Sequence, residues 1–196
     1  MENNILSYLS KEQRQLIKVV HYKKNEVVYK EGEHCDSIAI IIDGTIQIVS
    51  YSFSGKEVIF NTLKKNQIFG NNLLFSSDPT YKGDVISTSK STLVIIKKND
   101  LITLLSSNQE FLKEYLKIQS DFGKYLNSQI KLFSIDSALE RFEYYLFINK
   151  NEIEFKTITS LASKLNLKRE TLSRLISKLE KENVIQRSPH KIIKID

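Results

Sequence analysis

The C-terminal sixth of the chain carries its whole excess of positive charge. The 196 residues have a net charge of +6, and between residues 164 and 194 nine Lys and Arg accompany three acidic residues. A phosphate backbone is the usual partner of such a focused basic cluster, because neutralising phosphates releases condensed counterions. The charge therefore indicates nucleic-acid binding, although a solvated Lys-rich tail would give the same count.

Arginine usage favours nucleic-acid binding over a solvated tail. Of the 29 basic residues only five are Arg, and Arg169, Arg174 and Arg187 lie in this segment. The planar fork of Arg can hold guanine O6 and N7, or a phosphate, with two bonds at once. The use of a scarce residue at these positions indicates base recognition in addition to charge.

Residues 157–181 have the spacing of a helix-turn-helix. Thr157 is a good N-cap for a first short helix, and Asn166 stands where the chain must turn, because Asn tolerates the left-handed conformation. Residues 169–181 predict a second helix, whose N-terminal residues would contact base edges in the major groove. A plain two-helix core packing is the alternative. The predicted inward positions are Leu161, Ala162, Leu165, Leu172, Leu175, Ile176 and Leu179, and the outward ones are Arg169, Glu170, Ser173 and Arg174.

A hairpin is predicted directly after the second helix. Residues 184–187 and 192–195 have the composition of short strands, and 188–191 contain the turn residues Ser and Pro. Such a wing would place Lys191, and also His190, on DNA phosphates.

The part of the chain that precedes the helix-turn-helix contains a β-rich region. Residues 21–98 contain short runs of Ile, Val, Tyr and Phe at intervals of roughly ten residues, separated by polar turns, which is typical of an all-β sandwich or barrel. Residues 1–20 predict a short helix. The runs are 27–29, 38–42, 46–49, 58–60 and 93–96, with a hairpin turn at Ser54-Gly55 between the third and the fourth.

Residues 108–133 predict a helix with two neighbouring apolar stripes. One stripe repeats with the 4,3 spacing of a heptad seam. We expect the other stripe to pack on the β-domain and the seam to meet a second copy of the chain, with Gly123 allowing close approach; a single wide core face is the alternative. The seam is Phe111, Tyr115, Ile118, Phe122, Tyr125, Gln129 and Leu132, and the second stripe is Leu112, Leu116, Leu126, Ile130 and Phe133.

A hinge and a further helix are predicted after the seam. Residues 133–137 form the hinge, and the spacing of Ser137 and Glu140 predicts a capping box at the start of the next helix. Residues 149–154 are a polar break. The predicted core positions of this helix are Leu139, Phe142, Leu146 and Phe147.

Composition excludes several kinds of site. The single cysteine, Cys35, excludes an intrachain disulfide and also a zinc finger or iron–sulfur cluster built from this chain alone. Cys35 is more typical of an inert thiol than of a redox site, and His21 and His34 are isolated haem-ligand candidates, so we expect no metal and no cofactor. The absence of a Ser-His-Asp set, paired carboxylates or a phosphate-cradling Gly loop argues against an enzyme. Without a signal sequence or membrane span, we expect a cytoplasmic protein.

The C-terminal segment resembles a known DNA-binding motif. The run T-x-x-x-L-A-x-x-L-N-L-K-R-E-T-L-S-R at 157–174 is similar to the helix-turn-helix of the Crp/Fnr family of bacterial transcription regulators, and the resemblance covers essentially the whole chain. It implies that Glu170 and Arg174 contact bases of a half-site with a TGA core. Arg174 would hold a guanine with two bonds, and Glu170 would accept from a cytosine amino group. Asn166 replaces the family's usual Gly, and Lys168 replaces its usual Ser or Thr cap.

The front half resembles the cyclic-nucleotide-binding jelly roll of the same family, but it lacks the residues that hold the nucleotide. After Gly70 the family's cyclic-nucleotide binders carry a Glu and later an Arg, where this chain has Asn71 and Tyr81. A buried phosphate without a guanidinium is costly, so we expect no cyclic AMP binding, with Lys82 as the one substitute charge. The matching turn glycines are Gly32, Gly44 and Gly55, and any effector pocket is expected to involve Gly70, Asn71, Asn72, Leu73, Tyr81, Lys82 and Tyr125.

The chain is therefore predicted to be an α+β protein with three parts. These are a jelly-roll sensor domain at 1–107, a dimerisation helix and hinge at 108–134, and a winged helix-turn-helix domain at 135–196. We expect a homodimer that binds palindromic double-stranded DNA, works with RNA polymerase and takes at most an unknown small-molecule effector. A ligand-binding or protein-interaction module that no longer reads DNA is the alternative. The expected DNA contacts are Thr157, Lys168, Arg169, Glu170, Ser173, Arg174, Arg187 and Lys191.

Overall fold

The chain folds into two compact units, residues 1–120 and 121–196, as seen in a computed structural model that describes residues 4–52, 55 and 57–195. Each unit has its own hydrophobic core. The boundary falls inside the long helix, which the sequence treats as a separate segment at 108–134.

The first unit is an antiparallel double sheet. One sheet has the strand order β1-β8-β3-β6 and the other has the order β2-β7-β4-β5. Two four-stranded antiparallel sheets of this kind form a jelly roll, so the predicted β-sandwich is confirmed. The strands are β1 (Lys18–Tyr22), β2 (Glu26–Tyr29), β3 (Ser37–Asp43), β4 (Thr45–Tyr51), β5 (Glu57–Lys64), β6 (Ile68–Phe69), β7 (Asp84–Ser87) and β8 (Ser91–Lys97).

The core of the first unit centres on β3, which is paired on both of its edges. Ile38, Ile40 and Ile41 are fully buried, and the continuous apolar run reflects cover on both faces of the strand. Gly44 is required at the turn into β4, because its φ is +94° and a Cβ there would lie 2.6 Å from the carbonyl oxygen of Lys90. Ser54 of the predicted hairpin lies outside the described residues, whereas β4 and β5 pair on either side of it as predicted.

The predicted helix at 1–20 is wrong. Two short 3-10 helices, Ile5–Tyr8 and Gln13–Leu16, are followed by β1. The first ends because Leu9 has an extended backbone and packs into the jelly-roll core. Pairing of β1 with β8 fixes the rest as a strand, and a partner more than 60 residues away leaves no trace in local periodicity.

Two helices follow the jelly roll. The first, α1 (Lys98–Ser107), was not predicted, and it buries Leu101 and Leu104. The second, α2 (Gln109–Ser134), is the predicted long helix with 26 residues. Among the described residues, no helix has the length and apolar character needed to cross a membrane.

The predicted dimer seam on α2 needs correction. Phe111 and Tyr115 are buried in the core of the first unit, and Leu132 is buried in the core of the second. These three side chains are occupied within the chain, so they are not available to another copy. Ile118 packs against the first core, Phe122 and Gln129 are partly buried, and only Tyr125 is about half exposed.

The exposed apolar stripe of α2 is the one that was expected to pack on the β-domain. It has heptad spacing as well, with Gln119 and Gly123 at its two remaining positions. A Cβ added at Gly123 would meet no neighbouring atom within 4 Å, so this point of the helix surface is open. The exposed members are Leu116 (54%), Leu126 (43%), Ile130 (65%) and Phe133 (49%), and Leu112 is partly buried.

The second unit is a helical core with a three-stranded sheet of order β10-β11-β9. The N-cap hydroxyl of Ser137 accepts from the amide of Glu140, so Ser137 caps the helix as predicted. The reciprocal bond of the predicted capping box, from the Ser137 amide to the Glu140 side chain, is absent among the described residues. Phe142 and Leu146 are buried as predicted, whereas Leu139 and Phe147 are exposed at 37% and 73%. Leu139 lies in the first turn of the helix, and Phe147 points away from the side that carries Phe142. The elements are α3 (Ala138–Ile148), β9 (Glu152–Glu154), α4 (Ile158–Lys164), α5 (Arg169–Lys181), β10 (Ile185–Ser188) and β11 (Lys191–Lys194).

Candidate nucleic-acid interface

The start of α4 and the turn after it are fixed by local hydrogen bonds. The Thr157 hydroxyl accepts from the amide of Ser160 at 3.0 Å, and the Ser160 hydroxyl accepts from the amide of Thr157 at 3.2 Å. Asn166 has φ +49°, the left-handed conformation that the sequence predicted, and the Leu167 amide donates to the Ala162 carbonyl at 2.9 Å. Thr157 therefore serves as a cap, and its side chain stays exposed.

Helix α5 presents its charged N-terminal residues to solvent because its apolar face is buried. Leu172 and Ile176 are fully buried and Leu179 nearly so. Leu175, predicted inward, is only partly buried. On the other face Lys168, Arg169, Glu170 and Arg174 are exposed and Ser173 is partly buried.

The exposed charges at the start of α5 are unpaired. Arg169, Glu170 and Arg174 form no ion pair with any residue that the structure describes. Lys168 at the N-cap position makes no side-chain cap. A carboxylate and a guanidinium four residues apart on a helix could pair, but Glu170 and Arg174 do not pair with each other.

A shallow groove runs along the exposed face of α5 beyond Arg174. Sequence reasoning stopped at Arg174 and missed the residues of the next two turns, although their spacing of three, four and seven residues from it places them on the same face. Lys178 is paired with Glu182 at 3.8 Å. The groove is lined by Ser173, Arg174, Ser177, Lys178, Lys181 and Glu182.

The predicted wing is present and carries a third strand that the sequence did not reveal. β10 pairs with β11, with Ser188 opposite Lys191 at the turn. β9, predicted as a polar break, pairs with the other edge of β11. Arg187 and His190 are exposed. Lys191, predicted to bind phosphate, has its ammonium 2.7 Å from a carboxylate oxygen of Glu152 on β9.

The residues proposed for an effector pocket differ in their surroundings. Tyr81 is 4% exposed and stacks on Tyr29 with ring centroids 4.6 Å apart. Burial, followed by the contact with Cys35, raises the pKa of Tyr81 far above its ordinary value, so the phenol stays neutral. The position that corresponds to the family's Arg is therefore filled by an uncharged ring.

Asn71 is held by α2. Its side-chain amide donates to the Gln119 side-chain oxygen at 2.5 Å, and the Gln119 amide donates to the Asn71 carbonyl and to the Tyr115 hydroxyl. Gly70 next to it is buried, and with φ +80° it approaches Ser37 so closely that a Cβ would lie 2.7 Å from that carbonyl oxygen.

The other predicted pocket residues do not converge with these. Lys82 is exposed and pairs with Asp78 at 2.5 Å, so its charge is already balanced at the surface. Asn72 is exposed and Leu73 is partly buried. Tyr125 belongs to the second unit, where its ring centroid lies 6.4 Å from that of Phe122.

Two family models match the chain, one in each unit. The cyclic nucleotide-binding domain matches residues 19–108, and the MarR family matches residues 150–191. The Anaerobic regulatory protein of Bacillus subtilis (strain 168) is 25% identical over 109 residues, which are 56% of this chain and 46% of that protein. The chain thus matches about half the length of this curated relative.

Solved structures share the fold over nearly the whole chain. A CooA double mutant from Carboxydothermus hydrogenoformans has a TM-score of 0.74 and 14% identity, and the match covers 100% of this chain and 93% of that one. A regulator of the crp/fnr family from Eubacterium rectale has a TM-score of 0.57 and 16% identity, with 98% and 93% covered. The succession of a cyclic nucleotide-binding domain and a MarR-type region in one chain supports the resemblance to the Crp/Fnr regulators. At these identities the structures establish the fold of this chain and leave its ligands open.

Proposed function

We propose that this chain is a Crp/Fnr-type transcription regulator, a homodimer that reads a palindromic DNA site with a TGA core in each half. The observation that carries the proposal is the start of α5, where Arg169, Glu170 and Arg174 are exposed and unpaired among the described residues. The buried Leu172 and Ile176 fix this face outward, so a major groove can receive it.

The chemistry of these side chains suits base edges. Arg174 would hold guanine O6 and N7 with its fork, and Glu170 would accept from a cytosine amino group. Lys168 and Arg187 would neutralise phosphates, and Lys191 would do so when it is released from Glu152. Arg169 and Ser173, four residues apart on α5, would add contacts in the same DNA groove. RNA polymerase is the proposed downstream partner.

The corrected α2 stripe supports the dimer. Leu116, Leu126, Ile130 and Phe133 leave apolar surface in contact with water over almost the full length of the helix. Exposed apolar surface in heptad spacing is typical of a helix that pairs with a copy of itself. Open space at Gly123 suits close approach of the two backbones at the middle of the seam.

We propose further that DNA binding does not depend on cyclic AMP. The family's phosphate-binding Arg is replaced by the neutral, stacked Tyr81, and Asn71 is bonded to Gln119. Neither residue offers a positive charge to an anionic phosphate, whose burial would then be unfavourable. An unknown small molecule, or no effector at all, is compatible with this arrangement.

Selection of binders from a pool of random duplexes tests the proposal. The purified full chain is mixed with the pool with and without cyclic AMP, and native mass spectrometry reports the number of chains bound. Recovery of a palindrome with TGA in each half, bound by two chains and unaffected by cyclic AMP, supports the proposal. A pool that stays random would show that the module no longer reads DNA, and a need for cyclic AMP would overturn the effector proposal.

A further inference from the structure

Arg141 is a buried cation whose position is unusual for its helix. Its side chain is largely buried, with the residue 9% exposed, and it is the fourth residue of α3. The partial positive charge at a helix N-terminus disfavours a cation there. Arg141 forms no ion pair with an acidic residue in the described part of the chain. A buried charge without compensation is strongly unfavourable, so other groups must stabilise it.

Backbone carbonyls from two separate segments supply that stabilisation. Nε and Nη2 of Arg141 donate to the carbonyl of Ile135 at 2.9 and 2.5 Å. Nη1 donates to the carbonyls of Leu165 and Asn166 at 3.1 and 2.9 Å. Ile135 lies between α2 and α3, and Leu165 and Asn166 form the turn between α4 and α5. One side chain therefore connects the predicted hinge to the turn of the helix-turn-helix.

The bonds from Arg141 to the turn between α4 and α5 affect the direction of α5. The last carbonyls of a helix lack partners within it, and the negative end of its dipole favours a cation. Leu165 is the C-cap of α4, and Asn166 has φ +49°. Because α5 begins at Arg169, three residues further on, the orientation of these two carbonyls limits the direction in which α5 leaves the turn.

We propose that Arg141 is a positioning residue for the DNA-reading helix. Through its bonds to Ile135, Leu165 and Asn166 it holds α5 at the angle at which Glu170 and Arg174 reach base edges. The inference rests on the proposed DNA-binding function. Lys at this position would keep the charge but lose the planar fork that reaches all three carbonyls at once.

The first test compares Arg141→Lys with the matched control Arg14→Lys, whose residue lies in the first unit and donates to the Leu6 carbonyl. Affinity is measured for the selected palindrome and for a scrambled duplex, each over a range of salt concentrations. We expect Arg141→Lys to lose about tenfold or more in specific affinity, because charged hydrogen bonds are lost. Its affinity for the scrambled duplex and its salt slope stay at the wild-type values.

A role confined to stability gives a different result. It would lower the fraction of folded protein and reduce both affinities by the same factor, with the ratio of specific to scrambled binding unchanged. A wild-type ratio in folded Arg141→Lys overturns the positioning role. If the wild type itself prefers no duplex, the proposed function fails instead, and the two failures are thereby distinguished.

A second variant separates folding from positioning. Asn166→Gly adopts the positive φ of the turn without strain, so it stabilises the turn without restoring the bonds of the guanidinium. Arg141→Lys is repeated in this background at a temperature where circular dichroism shows both proteins folded. Reduced specificity in the double variant supports the proposal, and specificity equal to that of Asn166→Gly alone overturns it.

Discussion

At the scale of single residues, the candidate nucleic-acid interface contains two kinds of side chain. Some can identify a base, and others can only contact a phosphate. Arg174 offers a fork, is exposed, and is unpaired among the described residues. Arg174→Ala should cost about 1–3 kcal/mol of specific binding free energy and relax the preference at one base pair. Selection on random duplexes measures this preference directly.

Lys178→Ala is the matched control for Arg174→Ala, since Lys178 lies one turn further along the same groove and is already paired with Glu182. It should change the affinity of all duplexes alike and leave the selected sequence as it is. Equal weakening of every sequence by Arg174→Ala would show that this arginine contacts only the backbone.

The ion pair of the wing predicts an effect on non-specific binding. Glu152 holds the ammonium of Lys191 at 2.7 Å, and both side chains are partly exposed. Glu152→Gln should release Lys191 to phosphates, raise the affinity for all duplexes, and steepen the dependence of log K on log salt by about 0.9, the value for one phosphate contact. Titrations at several salt concentrations measure the slope.

A double-mutant cycle isolates this pair from the general loss of a negative charge. Glu154→Gln is the control, because Glu154 lies on the same strand without an ion pair in the described part of the chain. Glu152→Gln should have no more effect than Glu154→Gln once Lys191 is Ala. An undiminished effect in that background would exclude Lys191 as the responsible cation.

The raised pKa of the Cys35 thiol predicts a slow reaction with alkylating reagents in the native protein. The residue is 1% exposed, and burial, only partly offset by the hydrogen bond from Tyr81, raises the pKa of its thiol. A raised pKa means less thiolate at a given pH, and the thiolate is the reactive form. Alkylation at pH 8 should therefore be much slower in the native protein than in urea, as followed by intact mass. Equal rates in both states would contradict a buried thiol.

How far the sequence predicts a residue depends on how local its interactions are. Thr157 and Asn166 were predicted correctly, because capping and the left-handed turn depend on neighbours within a few residues. The pairing of Lys191 with Glu152 was missed, because it depends on β9 joining the wing. Arg141 was missed as well, since nothing in the sequence separates a buried Arg from an exposed one.

At the scale of elements, α2 was predicted correctly as a helix, but the wrong one of its two apolar stripes was assigned to the dimer seam. Both stripes are apolar and both have heptad spacing, so periodicity predicts the helix but does not tell which stripe the chain itself will cover. The answer comes from the cores, which take Phe111, Tyr115 and Leu132. The same limit explains β1 and β9, whose partners are distant in sequence, whereas the bounds of α5 were predicted at 169–181 from its own pattern.

The corrected stripe makes the dimer testable. Ile130 is 65% exposed at a heptad position, so Ile130→Glu would place an unpaired charge in the seam and destabilise the dimer by about 3 kcal/mol or more. Sedimentation velocity should show monomers. Asn127→Glu, an exposed position of α2 outside the heptad spacing, is the control and should remain dimeric. Dimers that survive Ile130→Glu would exclude this stripe as the interface.

At the scale of the whole molecule, the chain combines a β-unit in which Asn71 and Tyr81 replace two charged residues of the family with a second unit in which the N-terminal residues of α5 are exposed. The side chains that resemble the family most closely lie at 157–174, and those that depart from it are Asn71 and Tyr81. Both departures fit the jelly-roll core, because Tyr81 is buried and stacked on Tyr29, and Asn71 is buried and hydrogen-bonded to Gln119. Divergence from the family therefore concerns the predicted nucleotide site more than the base contacts that we propose.

A dimer with two reading helices makes the spacing of its half-sites a constraint. Successive major grooves on one face of B-DNA lie about 10–10.5 base pairs apart. Inserting five base pairs between the half-sites would turn one of them to the opposite face of the duplex, so a symmetric dimer could bind only one half. We expect the affinity for such a site to fall to that of a single half-site, measured by titration of labelled duplexes at fixed salt. Replacing the spacer sequence at constant length is the control and should change affinity much less, since these positions are not contacted directly. Unchanged affinity after the insertion would mean that the two recognition helices bind independently of one another, and the proposal of a symmetric dimer on a palindrome would have to be abandoned.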